Sequence, residues 1–277
     1  MDEECLTIEE VHNEQAKMVK TLTDFFDENN LTYFLCGGTL LGAIRHKGFI
    51  PWDDDVDILM PRPDYEKFKK ITYDKPLTEN IKVISLLNKD CIYPFCKVCN
   101  LNYKVKEEWW EQKDNSYLWL DVFPMDGLTA DENENAKLYK KIHFYRNLLS
   151  LRILDKEKIV ESSKTKLKAI LKPFLKLFVN LIPIRTIANK IDKLSSTYDY
   201  EKCEYVGGTM WGYGAQERLR KTDVEKKVKV EFENMQLYTF SCWDEYLTNL
   251  YGDYMKLPPI EKRQIHLAKI EKINWRR

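Results

Sequence analysis

The sequence predicts an α+β (mixed α/β) fold, a mixed sheet flanked by helices, and three observations point to it. Short β-rich runs bounded by turn residues recur at TYFLC, DVDILM, IKVISL, PFCKV and YLWLDVF. Helical periodicity opens the chain and returns between the second and third of those runs. From Asp131 to about Tyr198 the composition turns to Lys, Leu, Ile and Asn with almost no strand signal, which predicts several inserted helices.

Thr7 followed by Glu10 is a capping-box pattern. Ile8, Val11, Val19, Leu22, Phe25 and Phe26 then recur at helical spacing, so one amphipathic helix is predicted over residues 8–28. After Asn29 and Asn30 the run TYFLC reads as a strand that stops at Gly37 and Gly38, giving the order strand, glycine turn, short helix. DVDILM is the next strand, a helix from Asp64 to Lys70 follows, and IKVISL, PFCKV and YLWLDVF add three more strands. Beyond the helical stretch, glycines return at VGGTMWGYG, VKVEFEN and MQLYTF pair as a hairpin, and short helical segments around YGDYMKLPP close the chain. The composition shifts divide the chain into residues 1–130, 131–200 and 201–277.

Charge and cysteine usage exclude several classes. Lys plus Arg and Asp plus Glu balance at 44 each, so no global field attracts nucleic acid or an anionic membrane, and any attraction is local. The acidic opening MDEECLTIEE lacks the apolar core of a signal peptide, and no apolar run is long enough to span a bilayer. Seven irregularly spaced cysteines do not resemble a disulfide framework. A cytoplasmic protein with reduced thiols is expected. Cys91, Cys96 and Cys99 allow a zinc reading, but with no fourth ligand nearby they read as inert thiols of a strand.

PWDDDVDILM, residues 51–60, sets four carboxylates within five positions ahead of apolar residues. Alternate side chains of a strand share a face, so Asp55 and Asp57 point one way while Val56, Ile58 and Met60 point the other. Two carboxylates about 4 Å apart in a partly buried site repel by roughly 4 kcal/mol at an effective dielectric of about 20. A folded chain answers by protonating one or supplying a cation. A divalent metal is the simplest cation, and hard oxygen ligands suit Mg²⁺. The competing reading is a helix cap or a surface turn. A calcium loop starting at Asp53 fails, because Ile58 stands where Gly is needed and Asp64 where Glu is.

Upstream, Gly37 and Gly38 allow close backbone approach, and Thr39 with Leu40 would open a helix whose free amides attract phosphate. Alone, such a turn is only a turn; beside an acidic strand it is a candidate phosphate site. Arg45 is a further phosphate candidate through its planar fork, with a solvated helix end as the alternative. Lys97, the one cation of the apolar run PFCKVC, is another.

GGTLLGAIRHKGFIPWDDDVDILMPRPDYEKF resembles the signature of the LicD family, LWLDVFPMDG at 118–127 resembles its second block, and YGDYMKLPP with Arg263 and His266 resembles its C-terminal one. The resemblance implies a nucleotidyltransferase-like core in residues 1–130, completed by residues 201–277. It implies transfer of a phosphorylated alcohol, typically phosphocholine, from a CDP-alcohol such as CDP-choline to a sugar hydroxyl of a cell-surface glycan or teichoic acid precursor. The family also includes relatives of fukutin that handle ribitol phosphate, so the alcohol stays open. Asp55 and Asp57 are implied as the metal pair, for Mg²⁺ or Mn²⁺, and Asp121 as the third carboxylate. Independently, Asp121 lies in a run of large apolar groups, where a charge is expensive without a cation; facing solvent at a sheet edge is the alternative. Asp126 reads as a turn group before Gly127.

The expected mechanism is in-line displacement by a glycan hydroxyl with CMP leaving. Gly37, Gly38 and Thr39 would hold the diphosphate, Arg45 and Lys97 phosphate oxygens, and Asp121 the hydroxyl proton. His266 is either a general base or a surface residue. A nucleotidyltransferase releasing pyrophosphate competes with this reading. So does a non-catalytic glycan- or ion-binding module using Trp109, Trp110, Trp119, Trp211 and Trp243, most of which read as core or rim.

In residues 164–190, Lys168, Lys172 and Lys176 recur at four-residue spacing, with Leu171, Leu175, Phe178 and Ile182 on a different face. This is the profile of an interfacial helix on the inner membrane face, where a lipid-linked acceptor would lie. It is equally the profile of an amphipathic helix packed on its own domain with its lysines in water.

Overall fold

The computed structural model describes residues 5–88, 92–106, 116–154, 166–263 and 269–273. Helix α1 (Ile8–Glu28) begins at a complete capping box: Glu10 N–H donates to the Thr7 hydroxyl at 3.3 Å, and Thr7 N–H donates to the Glu10 carboxylate at 2.8 Å. Its apolar stripe, Val11, Met18, Val19, Leu22 and Phe26, is buried. The chain then passes through β1 (Phe34–Leu35), α2 (Gly37–His46), β2 (Asp57–Pro61), α3 (Arg62–Ile71), β3 (Ile81–Ile84), β4 (Cys96–Lys106) and β5 (Tyr117–Leu128).

Three helices follow, α4 (Glu132–Ile153), α5 (Lys166–Val179) and α6 (Ile184–Ser195). The rest is β6 (Tyr205–Gly208), β7 (Leu219–Arg220), the single turn α7 (Lys221–Val224), the hairpin β8 (Lys227–Phe232) and β9 (Met235–Phe240), α8 (Trp243–Tyr251) and β10 (Lys269–Lys272). The architecture is α+β, as the alternation of patterns predicts.

Eight strands form one mixed sheet with the path β1-β2-β5-β4-β10; β3 is added on β4, and β6 and β7 extend from β5. Among the described residues, β2 and β5 are the parallel pair of this sheet and the other pairings are antiparallel. Three strands went unread in the sequence: β6, the two-residue β7 and β10. β6 is half glycine, and its extended state follows from pairing Met125–Leu128 with Tyr205–Gly208. β10 is KIEK, whose charges hide a strand that pairs with β4 at the sheet's end.

One core lies between the sheet, α1, α2, α3 and the β8–β9 hairpin. A second joins Leu138, Ile142 and Leu149 of α4 to Val179 of α5 and Ile187 and Ile191 of α6. Asp126 is not a turn group. It is buried in β5, 2.6 Å from Arg62 Nε, and accepts from the Thr209 hydroxyl at 2.8 Å. The same guanidinium reaches Asp192 of α6 at 2.7 Å and Glu66 at 3.1 Å, so one cation fastens β5, α3 and α6 together.

The α5 lysines are not uniformly in water either. Lys176 is buried and donates to the carbonyls of Leu151, Arg152 and Leu154 at 3.4, 3.2 and 2.6 Å, where α4 ends. The side chains of Lys168 and Leu171 lie outside the described set. No described helix is long and apolar enough to cross a membrane.

Candidate active site

The glycine turn and the acidic strand are built on each other. Cys36, in extended backbone, caps α2, and Gly37 takes φ +54°, a left-handed conformation that favours glycine. The helix thus begins at the first glycine, two residues earlier than the expected start at Thr39. Asp57 N–H donates to the Thr39 hydroxyl at 2.8 Å, and Cys36 N–H donates to the Asp57 carbonyl at 3.4 Å. A Cβ on Gly37 would sit 3.0 Å from Asp57 Oδ2, and one on Gly38 would sit 2.7 Å from Asp53 Oδ2. The two glycines are therefore where acidic side chains cross the first turn of α2. Carboxylates are favoured there by the positive end of the helix dipole.

Strand register assembles the rest. Asp57 pairs with Asp121 across the parallel β2–β5 ladder, and Asp121 pairs with Lys97 across the antiparallel β5–β4 ladder. Directly paired residues share a face, so Asp57, Asp121 and Lys97 form a row over three adjacent strands. Lys97 Nζ is 3.0 Å from Asp121 Oδ1, and the Trp119 indole N–H donates to Oδ2 at 3.3 Å. The ammonium also lies 3.8 Å from the Trp119 ring centre and 4.6 Å from that of Tyr93. Trp119 thus acts through Lys97 and Asp121.

Asp57 and Asp121 are half-buried at the cleft floor. Loss of water contact, then the charges of Asp55, Asp121, Asp53 and Glu217, push the Asp57 pKa well above the ordinary carboxylate range. Burial also raises Asp121, and Lys97 with Trp119 holds that rise back. Carboxylates in this condition favour a proton or a cation.

The donor set fits a hard divalent ion: every candidate ligand is a carboxylate oxygen. Asp121 Oδ1 touches Lys97 without hydrogen-bond geometry and, among the described residues, makes no other hydrogen bond. Among the described residues no three His, Cys, Asp or Glu side chains converge as a closed ligand cluster. A Mg²⁺ here would therefore take only part of its shell from the protein, the rest being water and substrate phosphate, as is usual for that ion.

Asp55, Asp57 and Asp121 line a cleft of about 310 Å³. Apart from Trp211, its other wall comes from residues that the sequence did not single out. Glu217 accepts the Tyr213 N–H at 2.6 Å, and burial pushes its pKa up to about 7 against the pull of that N–H, Arg146 and Tyr246. Added methyls on Gly208 and Gly212 would fall 2.4 and 1.9 Å from Glu217 oxygens, so those glycines make room for its carboxylate. The Tyr246 hydroxyl accepts Gly37 N–H at 3.2 Å, which commits the first amide of α2 to the protein. Arg146 of α4 donates to the Gly212 carbonyl at 3.0 Å and lies 4.7 Å from the Trp211 ring centre. The glycine-rich VGGTMWGYG was the one visible signal for this wall.

Other candidates fall elsewhere. Arg45 is half-buried outside the cleft lining, donating to His46 Nε2 at 2.9 Å and to the Tyr254 carbonyl at 2.8 Å. Trp211 lines the cleft, whereas Trp243 packs against the main core. Cys96 and Cys99 are buried cysteines of β4 outside any disulfide. His266, Trp109, Trp110 and Cys91 lie outside the described residues.

Residues 30–150, β1 through most of α4 and so all three carboxylates, match the family model described as LicD/FKTN/FKRP, nucleotidyltransferase domain. Over 261 residues the chain is 28% identical to the lipopolysaccharide cholinephosphotransferase LicD of Haemophilus influenzae, covering 91% of this chain and 94% of that protein. An uncharacterized protein of Rickettsia typhi is 42% identical over 125 residues, which is 45% of this chain and 38% of that one.

Proposed function

Because the chain belongs to the LicD family through residues 30–150, we propose that it is a transferase moving a phosphorylated alcohol, phosphocholine in the first place, from a CDP-alcohol to a sugar hydroxyl of a cell-surface glycan. The observation that carries this reading is the cross-strand row Asp57–Asp121–Lys97 at the floor of a cleft whose far wall is aromatic and acidic. The relative from Haemophilus influenzae, aligned over nearly the whole of both chains, supports phosphocholine and a glycan as the substrate classes.

In this mechanism the sugar hydroxyl attacks the phosphorus of the alcohol phosphate, the new P–O bond forms, and the P–O bond to CMP breaks. Asp55, Asp57 and Asp121 would hold a divalent ion, Mg²⁺ or Mn²⁺, which supplies charge neutralisation at the phosphate oxygens. Asp121, between Asp57 and Lys97 in the row, would take the hydroxyl proton. Lys97 keeps Asp121 oriented and would turn its ammonium to a phosphate oxygen when the donor binds. Gly37 and Gly38 make room for the Asp57 and Asp53 carboxylates over the first turn of α2, so the donor's phosphates would be met through the ion and not by these amides. Phe123, beside Asp121 on β5, and Trp211 on the opposite wall would offer ring faces near the Glu217 carboxylate, which suits a quaternary ammonium.

Incubating the protein with Mg²⁺ and CDP-choline, CDP-ethanolamine or CDP-ribitol, without acceptor, tests the reading through slow hydrolysis. CMP release from one of them, absent after EDTA, is the expected result. Pyrophosphate release from CTP with an alcohol phosphate, and no CMP from any CDP-alcohol, would assign the cleft to nucleotidyl transfer instead.

A further inference from the structure

Helix α5 and the turn after it place their apolar side chains on the outside. Phe174, Leu177, Phe178 and Leu181 follow i, i+3, i+4, i+7 spacing, and Leu175 and Ile182 flank them; these six are between 37% and 81% exposed. The inward side of the same helix carries Val179 and Lys176. Lys176 fixes this orientation. Its ammonium donates to three carbonyls at the end of α4, the negative end of that helix's dipole. Turning the apolar stripe inward would strip the three carbonyls of their donor and draw a buried ammonium across the second core.

A contiguous apolar ridge of this kind marks an interaction surface, and charge selects its partner. From Ser162 to Lys190 the sequence carries seven basic residues and no acidic one. Among those whose side chains are described, Lys172 of α5 is half-exposed and Lys190 of α6 is exposed. Arg185 is held to the carbonyls of Leu86 and Asn88 and braces the start of α6. Apolar side chains flanked by cations, with acids absent, complement an anionic bilayer surface. There the rings and leucines enter the acyl boundary and the ammonium groups meet the headgroups.

We propose that α5 and the turn through Ile182 dock this protein onto the surface of an anionic membrane without spanning it. The docking end of α4 and the cleft are joined by one rigid rod: Arg146 lines the cleft and Arg152 receives Lys176, about 9 Å apart along the helix axis. A protein held this way keeps its cleft near the lipid surface.

The full chain is mixed with vesicles of phosphatidylglycerol and phosphatidylcholine, or of phosphatidylcholine alone, and floated through a density gradient at low and high salt. Flotation with the anionic vesicles, weakened by salt and reduced at least about tenfold in the F178E/L181E double variant, is expected. That variant should keep the wild-type circular dichroism spectrum and the wild-type rate of CMP release. Failure to float with anionic vesicles at low salt overturns the proposal, and so does undiminished flotation of the double variant. A wild-type dimer in sedimentation that the double substitution dissociates, with no flotation, would give the ridge to a second copy of the chain and overturn it equally.

Discussion

Asp57 carries the heaviest electrostatic load in the cleft, with Asp55, Asp121, Asp53 and Glu217 all acting on it. Asp57→Asn should keep the circular dichroism spectrum and lose at least about a hundredfold in turnover. In buffer without divalent ions the variant should also melt higher than wild type, because a neutral amide removes the repulsion that raises the pKa. Added Mg²⁺ should then raise the wild-type midpoint and leave that of Asp57→Asn nearly unchanged. Wild-type turnover in the variant would sink the assigned role, and an equal Mg²⁺ response in both would sink the metal.

Glu217 makes the pH dependence calculable. Its folded pKa of about 7 lies above the ordinary 4.5. Between those values the native state binds more protons than the unfolded state. Stability is therefore fully present below pH 4.5 and is lost as pH rises through about 7. At about 1.4 kcal/mol per unit the loss is on the order of 3 kcal/mol. Urea titrations should show wild type losing this much more than Glu217→Gln across that window, and parallel curves would refute it.

Asp57 and Asp121 were legible in the sequence because charge inside an apolar strand is costly and therefore conspicuous. Glu217 was not, since AQERL resembles an exposed helical fragment and its burial depends on Gly208 and Gly212 making room from earlier in the chain.

At the scale of elements, the β2–β5 ladder sets the spacing of the carboxylates, and Arg62 holds that ladder to its helices. The Arg62 side chain is 11% exposed and Asp126 is 1% exposed, so the pair is nearly withdrawn from water. Arg62→Ala would leave Asp126 buried without its cation and loosen α3 and α6 at once, a cost of about 3–5 kcal/mol. Asp126→Asn paired with Arg62→Met should recover part of that loss, because neutral groups do not need each other's charge. Denaturant midpoints of the single and double variants would check both statements; a loss under about 1 kcal/mol for Arg62→Ala would show the network to be ornamental.

Local signals sufficed for α1, where the capping box fixes the start and the apolar stripe the length. They sufficed also for the β8–β9 hairpin, which occupies VKVEFEN and MQLYTF. They failed for β6 and β10, whose extended states come from the strands beside them. They failed for α5 in another way: four-residue lysine spacing suggested a wet face, whereas the end of α4 takes Lys176 for itself.

Over the whole molecule, the two cores meet at the cleft. The sheet supplies Asp57 and Asp121, while α4, rooted in the second core, supplies Arg146. Three contacts close this arrangement from very far along the chain. Gly37 N–H donates to the Tyr246 hydroxyl, the Thr239 hydroxyl donates to the Leu35 carbonyl at 3.1 Å, and Arg45 donates to the Tyr254 carbonyl. Each spans more than 200 residues. Such long-range closures form late, after shorter loops have condensed. During refolding, ellipticity should therefore return before turnover, and simultaneous recovery would contradict this order. During synthesis, a ribosome that has not yet released Tyr246 carries a nascent polypeptide with every acidic group of the cleft already made and no means of seating the glycines beneath them. The cleft is therefore closed only after residue 246 has been made, however early its strands pair.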